Sequence, residues 1–269
     1  MTTMRRHMLT IWIGLWAASG CGAADPAMAD VQGTDPGHPP SGVSITKTYQ
    51  QGVSGYMSTR SVGISTYGGL GMPGQYNENG STFADGSNDW CMGTDIPPSP
   101  YSEVFLLRFD DLGIPAQAKV QSAQLMLHVY GNDTNSQLFV DGRYLAAPWN
   151  TDVPQSCAGC SNAPVGWRFR DGSSARWSLV GASGPGDIIT DRNFRLPTSG
   201  FVALGHEPKP YTTELDPEVV QRWLQGMNYG VRITAGVTGV HMGLVQAQRD
   251  ITGSRTLSMR PQLSITYVN

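Results

Sequence analysis

The sequence predicts an all-β protein, a β-sandwich of two antiparallel sheets with one short helix near residues 217–225. Three observations carry this expectation. Apolar and polar residues alternate in short runs rich in β-branched and aromatic side chains. Thirty-three glycines and 18 prolines among 269 residues punctuate those runs with turn signals. Charged residues make up 14% of the chain, against about 25% in an average soluble domain, which suits strands and turns better than a helical bundle. The 39% of hydrophobic residues is enough to bury a core, so wholesale disorder is excluded. A net charge of −3 gives no basic excess and argues against a nucleic-acid partner.

The N-terminus has its own pattern. Arg5 and Arg6 precede the apolar run MLTIWIGLWAA at 8–18, the arrangement of a secretory signal and too short for a stable span. No later stretch is long and apolar enough for a membrane helix. The run closes in Ala18-Ser19-Gly20-Cys21. These residues resemble the lipobox of bacterial lipoproteins, although Ala18 stands where Leu is most typical. The resemblance implies a lipoprotein signal peptide at 1–20 and lipidation of Cys21 as the mature N-terminus. Gly22 follows, so no acidic retention signal is present, and anchoring at the outer membrane or cell surface is expected. An ordinary signal peptide cut nearby, with Cys21 incidental, is the alternative. Residues 21–42 lack apolar periodicity, and their Pro, Gly and Asp read as a disordered tether.

The folded domain is expected over 43–269, where alternation begins near Val43. The clearest strand runs are 103–110, 119–130, 137–146, 200–205, 229–235, 243–248 and 262–268. In the first, Phe105, Leu107 and Phe109 share one face. In the second, Leu125, Leu127 and Val129 share a face, with Met126 and His128 opposite. The single helix follows Asp216-Pro217-Glu218, which supplies an N-cap, a proline at the first position and an acidic first turn. Val219, Val220, Trp223 and Leu224 form its apolar stripe, which ends at Gly226. No internal repeat is present, and about 225 residues suits one domain of this class.

The order of motifs resembles the DNRLRE domains, which group with bacterial carbohydrate-binding modules. Arg108-Phe109-Asp110, Gly113-Ile114-Pro115 and Val120-Gln121-Ser122-Ala123-Gln124-Leu125 resemble the core of that family. Trp149, Trp167-Arg168-Phe169-Arg170-Asp171-Gly172 and Trp177 resemble its tryptophan-bearing middle section. Leu215-Asp216, Val219, Trp223 and Asn228-Tyr229-Gly230 resemble the next stretch, and Gln248-Arg249-Asp250 with 260–267 (RPQLSITY) the close. Gln248 and Asp250 depart from the Ser and Glu usual around that arginine, and 68–100 reads as an inserted loop. The resemblance implies a jelly-roll type sandwich that binds polysaccharide without catalysis, on a chain that meets the membrane only through its lipid anchor.

Candidate functional residues follow from their chemistry. Sugar rings are bound by flat aromatic faces together with polar groups for the hydroxyls. Trp90, Tyr101, Trp149, Trp167 and Trp177 are therefore the candidate aromatics, Trp90 because it lies in the inserted loop. The last three are equally readable as core, and Trp223 reads as core. Arg108, His128, Arg232, Gln246 and Gln248 alternate with apolar residues on their strands, so neighbouring strands would present them as one polar face, or simply as a wetted one. Asp85, Asp89 and Asp95, with Asn77, Glu78 and Asn79, could supply oxygens to a structural Ca²⁺. A polar loop held by Asx-turns is the alternative. No other cofactor is called for.

Export favours disulfides, and Cys157–Cys160 is one pairing, with Cys91 to either as another. A zinc site or thioredoxin-like motif lacks the accompanying residues. No G-x-S-x-G, H-E-x-x-H, P-loop or dinucleotide fingerprint occurs, and the scattered carboxylates select no glycosidase pair. Two rivals to a polysaccharide-binding module remain: a structural or adhesive surface protein, and a stand-alone polysaccharide lyase or hydrolase.

Overall fold

The structure is a computed structural model that describes residues 42–67, 76–83, 90–94, 102–130, 138–150, 165–171, 174–198, 208–235, 240–244 and 257–269. All belong to one unit, Pro39–Asn269. In chain order the elements are β1 (Ile45–Gln50), β2 (Thr59–Tyr67), β3 (Tyr76–Phe83), β4 (Trp90–Thr94), β5 (Ser102–Phe109), β6 (Lys119–Tyr130) and β7 (Leu138–Leu145). Then come β8 (Ile188–Thr198), β9 (Lys209–Leu215), α1 (Pro217–Leu224), β10 (Val231–Ala235), β11 (Val240–Leu244), a 3₁₀ turn at Leu257–Met259, and β12 (Gln262–Val268).

Every described pairing is antiparallel. The first sheet runs β1-β12-β6-β9, and the second runs β3-β2-β5-β10-β7-β8. The β4–β11 ribbon joins the far end of β6 to the start of β5, so the hydrogen-bond ladder passes from one sheet to the other. The expected all-β sandwich with a single helix is what forms.

The two sheets meet through alternation. Phe105, Leu107 and Phe109 of β5 and Leu125, Leu127 and Val129 of β6 all enter the main core, on the faces their spacing predicts. Gly142 of β7 also faces this core, because the Phe194 ring of β8 occupies the space a Cβ would need, 2.0–2.3 Å away. Helix α1 closes one end. The Asp216 side chain accepts from the Glu218 N–H at 2.9 Å, Pro217 opens the helix, and Val219, Val220 and Trp223 are buried. Gln221 ties the helix to β6, accepting from Val120 N–H at 2.9 Å and donating to the Ala118 carbonyl at 2.9 Å.

A second core lies on the outer face of the second sheet. Val62 and Ile64 of β2, Val104 and Leu106 of β5, and Leu145 of β7 pack beneath Trp149, Val165, Trp167, Trp177 and Ala182. β5 is thus buried on both faces, which its unbroken run Val104-Phe105-Leu106-Leu107 reflects. The covering excursion between β7 and β8 is fastened by polar groups. The Trp149 indole donates to the Tyr229 carbonyl at 2.8 Å and the Trp177 indole to the Gly166 carbonyl at 3.0 Å. The buried Asp187 carboxylate accepts from the N–H groups of Ser178, Leu179 and Gly184 at 2.7–3.0 Å.

Several expectations change. The segment 68–100, expected as a loop, contributes β3 and β4; YNENGSTF carries aromatics only at its ends, so no alternation announced it. β8 and β9 carry Pro197 and Pro210, which hid them. β11 begins at Val240 rather than Gly243. The run at 200–205 lies outside the described residues.

Candidate functional site

An open cleft of about 500 Å³ lies at one end of the sandwich, lined by Arg60, Arg108, Asp110, Asp111, Trp223, Leu224 and Asn228 among others. Its walls come from three places distant in sequence. β2 and β5 run antiparallel with Arg60 directly opposite Arg108, so both arginines leave the same face at the same level. The turn after β5 is anchored by Asp110 N–H to the Ser58 carbonyl at 2.8 Å and by the Tyr56 hydroxyl to the Asp110 carbonyl at 2.6 Å. Asp111 takes a left-handed φ of 50°, and its carboxylate accepts from the Ser58 hydroxyl at 2.6 Å. The far wall is the end of α1, where Gly226 (φ 90°) turns the chain toward Asn228. The Asn228 amide donates to the Phe109 carbonyl at 2.6 Å, tying that wall to β5.

The charges are unevenly committed. Arg108 Nε meets Asp110 Oδ1 at 2.5 Å. Among the described residues, Arg60 has two long backbone contacts, to the carbonyls of Met57 at 3.4 Å and Thr59 at 3.5 Å. The two carboxylates are consecutive in sequence and sit on the same wall, each already hydrogen-bonded. The apolar lining residues Leu112, Ile114 and Trp223 are buried, so the cleft presents a mainly polar surface.

Among the described residues that were expected to act, Arg108 alone lines this cleft. Trp149, Trp167 and Trp177 are 5–7% exposed and form the second core, so none offers a ring face for stacking. That corrects their reading as platforms. His128 corrects the single polar face. It lies on β6 of the first sheet, opposite Pro210 of β9, whereas Arg108 and Arg232 lie on the second sheet. His128 is buried, its Nδ1 has no partner among the described residues, and burial lowers its pKa against the opposing effect of a hydrogen bond with the Met259 backbone. Arg232 shares the outer face with Arg108 but stands opposite Leu106, under the edge of the covering excursion.

Trp90 and Cys91 are placed on β4 by backbone register, opposite Leu244 and Gly243. Cys21, Asp85, Asp89, Asp95, Tyr101, Cys157, Cys160, Gln246 and Gln248 lie outside the described residues. Among the described residues no His, Cys, Asp and Glu group could hold a metal ion, and no helix is long and apolar enough to cross a membrane.

Arg60, Asp111 and Asn228 were missed as site residues. Asn228 stands in the Asn228-Tyr229-Gly230 motif, and Arg60 alternates with Val62 and Ile64, but the register of β2 on β5 and the Asn228 bond to Phe109 are what join them.

Fold and cleft together define a class: an all-β sandwich with a charged cleft at one end. Compared with known proteins, the chain matches no family model, and no curated protein matches it.

Proposed function

We propose that this chain is an exported lipoprotein, anchored through Cys21, whose DNRLRE-type sandwich binds polysaccharide at the cell surface without catalysis. The observation that carries the reading is the end cleft. Its size suits one or two sugar rings. Arg60, Arg108 and Asn228 offer donors, and Asp110 and Asp111 offer acceptors, for ring hydroxyls. A hydrolase would need two carboxylates facing each other across the substrate, and here Asp110 and Asp111 share a wall.

Binding of the purified full chain to immobilised acidic and neutral polysaccharides, with and without Ca²⁺, tests the reading. Retention on at least one glycan that weakens in Arg60→Ala supports it. Absence of binding across the panel would leave the structural or adhesive reading. One observation favours that rival: among the residues whose burial is described, no aromatic side chain is fully exposed. Release of shortened chains from the glycan would instead identify a lyase or hydrolase.

A further inference from the structure

Arg232 of β10 and Arg143 of β7 are direct cross-strand partners on the outer face of the second sheet. Opposed residues in an antiparallel pair hold their Cβ atoms about 5 Å apart, and like charges so placed repel. The other arginines on this face are mostly neutralised: Arg108 by Asp110 at 2.5 Å, and Arg195 by Asp141 at 2.9 Å. Neither Arg143 nor Arg232 forms an ion pair among the described residues. Asp141, two residues from Arg143 on the same face of β7, is the nearest carboxylate along that strand and is held by Arg195.

Arg232 is largely buried. Its Nε donates to the Gly181 carbonyl at 2.7 Å, which fixes the guanidinium plane, and neither terminal nitrogen has a partner among the described residues. Burial first, and Arg143 second, push its pKa down to about 10. A sheet that needed only packing here would carry an apolar or neutral residue. The exposed Asn193 of β8 continues the same row, paired in register with Arg143.

We infer that Arg143 and Arg232 form an oxyanion-binding site, with Asn193 as a third donor, on the outer face of the second sheet. Two guanidiniums that form no ion pair among the described residues suit bidentate contact with a carboxylate, sulfate or phosphate group. The anion would supply the counter-charge that no carboxylate among the described residues supplies. The group could be carried by an acidic glycan or be a free inorganic ion. This site stands apart from the end cleft and does not depend on it.

The test is thermal unfolding of the full chain in 0–10 mM sodium sulfate or sodium glucuronate, with chloride balancing the ionic strength. The wild type should show a saturable rise in Tm. Arg143→Gln should shift its midpoint concentration at least about tenfold upward. Arg232→Met should lose the saturable response yet melt no lower than wild type without added anion, since an unpaired buried cation has been replaced by an apolar side chain. A response to glucuronate and sulfate alike assigns the site to free oxyanions. A response only to an oligouronide, added as a third arm, assigns it to a glycan-borne group. Tm rises of equal size in all three proteins would be a general salt effect and overturn the inference. So would an Arg232→Met protein that melts well below wild type while keeping its anion response.

Discussion

Replacing Trp167 by alanine separates the two roles a tryptophan can have in a sugar-binding sandwich. Trp167 is 7% exposed and packs in the second core with Trp149, Trp177, Val62, Ile64 and Leu106. A buried indole removes about 200 Å² from water, worth ~5 kcal/mol at ~25 cal/mol per Å². Incomplete collapse around the missing ring keeps the measured loss in the range of about 3–5 kcal/mol. For a domain of this size each kcal/mol lowers Tm by about 2–4 °C, so Trp167→Ala should melt roughly 6–20 °C lower. Gly181→Ala should reproduce part of that loss. Gly181 has φ 70°, and an added Cβ would stand 2.6 Å from the Trp167 ring. The assay is calorimetric or circular-dichroism melting of each variant, with glycan retention measured on the folded protein. A Trp167→Ala protein that melts within about 2 °C of wild type but no longer binds glycan would refute the assignment of this ring to the core.

Other outcomes follow from single contacts. Asp187→Ala strands three N–H groups in the covering excursion and should cost about 3 kcal/mol, seen as a lower urea midpoint and earlier proteolysis between β7 and β8. Asp216→Ala removes the α1 cap and should cost about 1 kcal/mol by the same measurement. Burial alone would raise the Asp216 carboxyl, but its bonds with Arg192 and the Glu218 N–H bring it below the usual carboxylate range. Its contribution is therefore present at neutral pH and lost as pH falls below about 4, which Asp216→Ala should abolish in acid titrations of stability. The lowered His128 pKa has the opposite chemistry but the same direction in pH. The unfolded chain takes up a proton near pH 6.5 while the folded chain resists it, so stability declines below that pH. His128→Leu should flatten this slope between pH 7.5 and pH 5.5 without loss at the upper end, because it also removes an unpartnered Nδ1.

What the sequence disclosed depended on whether the signal was local. β5, β6 and β12 were legible because one apolar face alternates along each, and α1 because its cap, proline and terminal glycine are neighbours in the chain. β3 and β9 were not, since ladder hydrogen bonds hold strands whose residues are mostly polar or include proline. The exposed-platform reading of Trp149, Trp167 and Trp177 failed for a tertiary reason: an excursion folds back and covers the outer face of the second sheet. The unbroken apolar run in β5 was the one local hint that this face is buried. The cleft was illegible because it needs the register that sets Arg60 against Arg108, and the end of α1 brought up to the turn after β5.

The proposed role of the cleft as a glycan site is tested most directly by Arg60→Ala. Arg60 has no carboxylate partner among the described residues, so its loss should leave Tm within about 1 °C while weakening glycan retention about tenfold, ~1.4 kcal/mol. An Arg60→Ala protein that binds polysaccharide as tightly as wild type would contradict the assignment of the cleft.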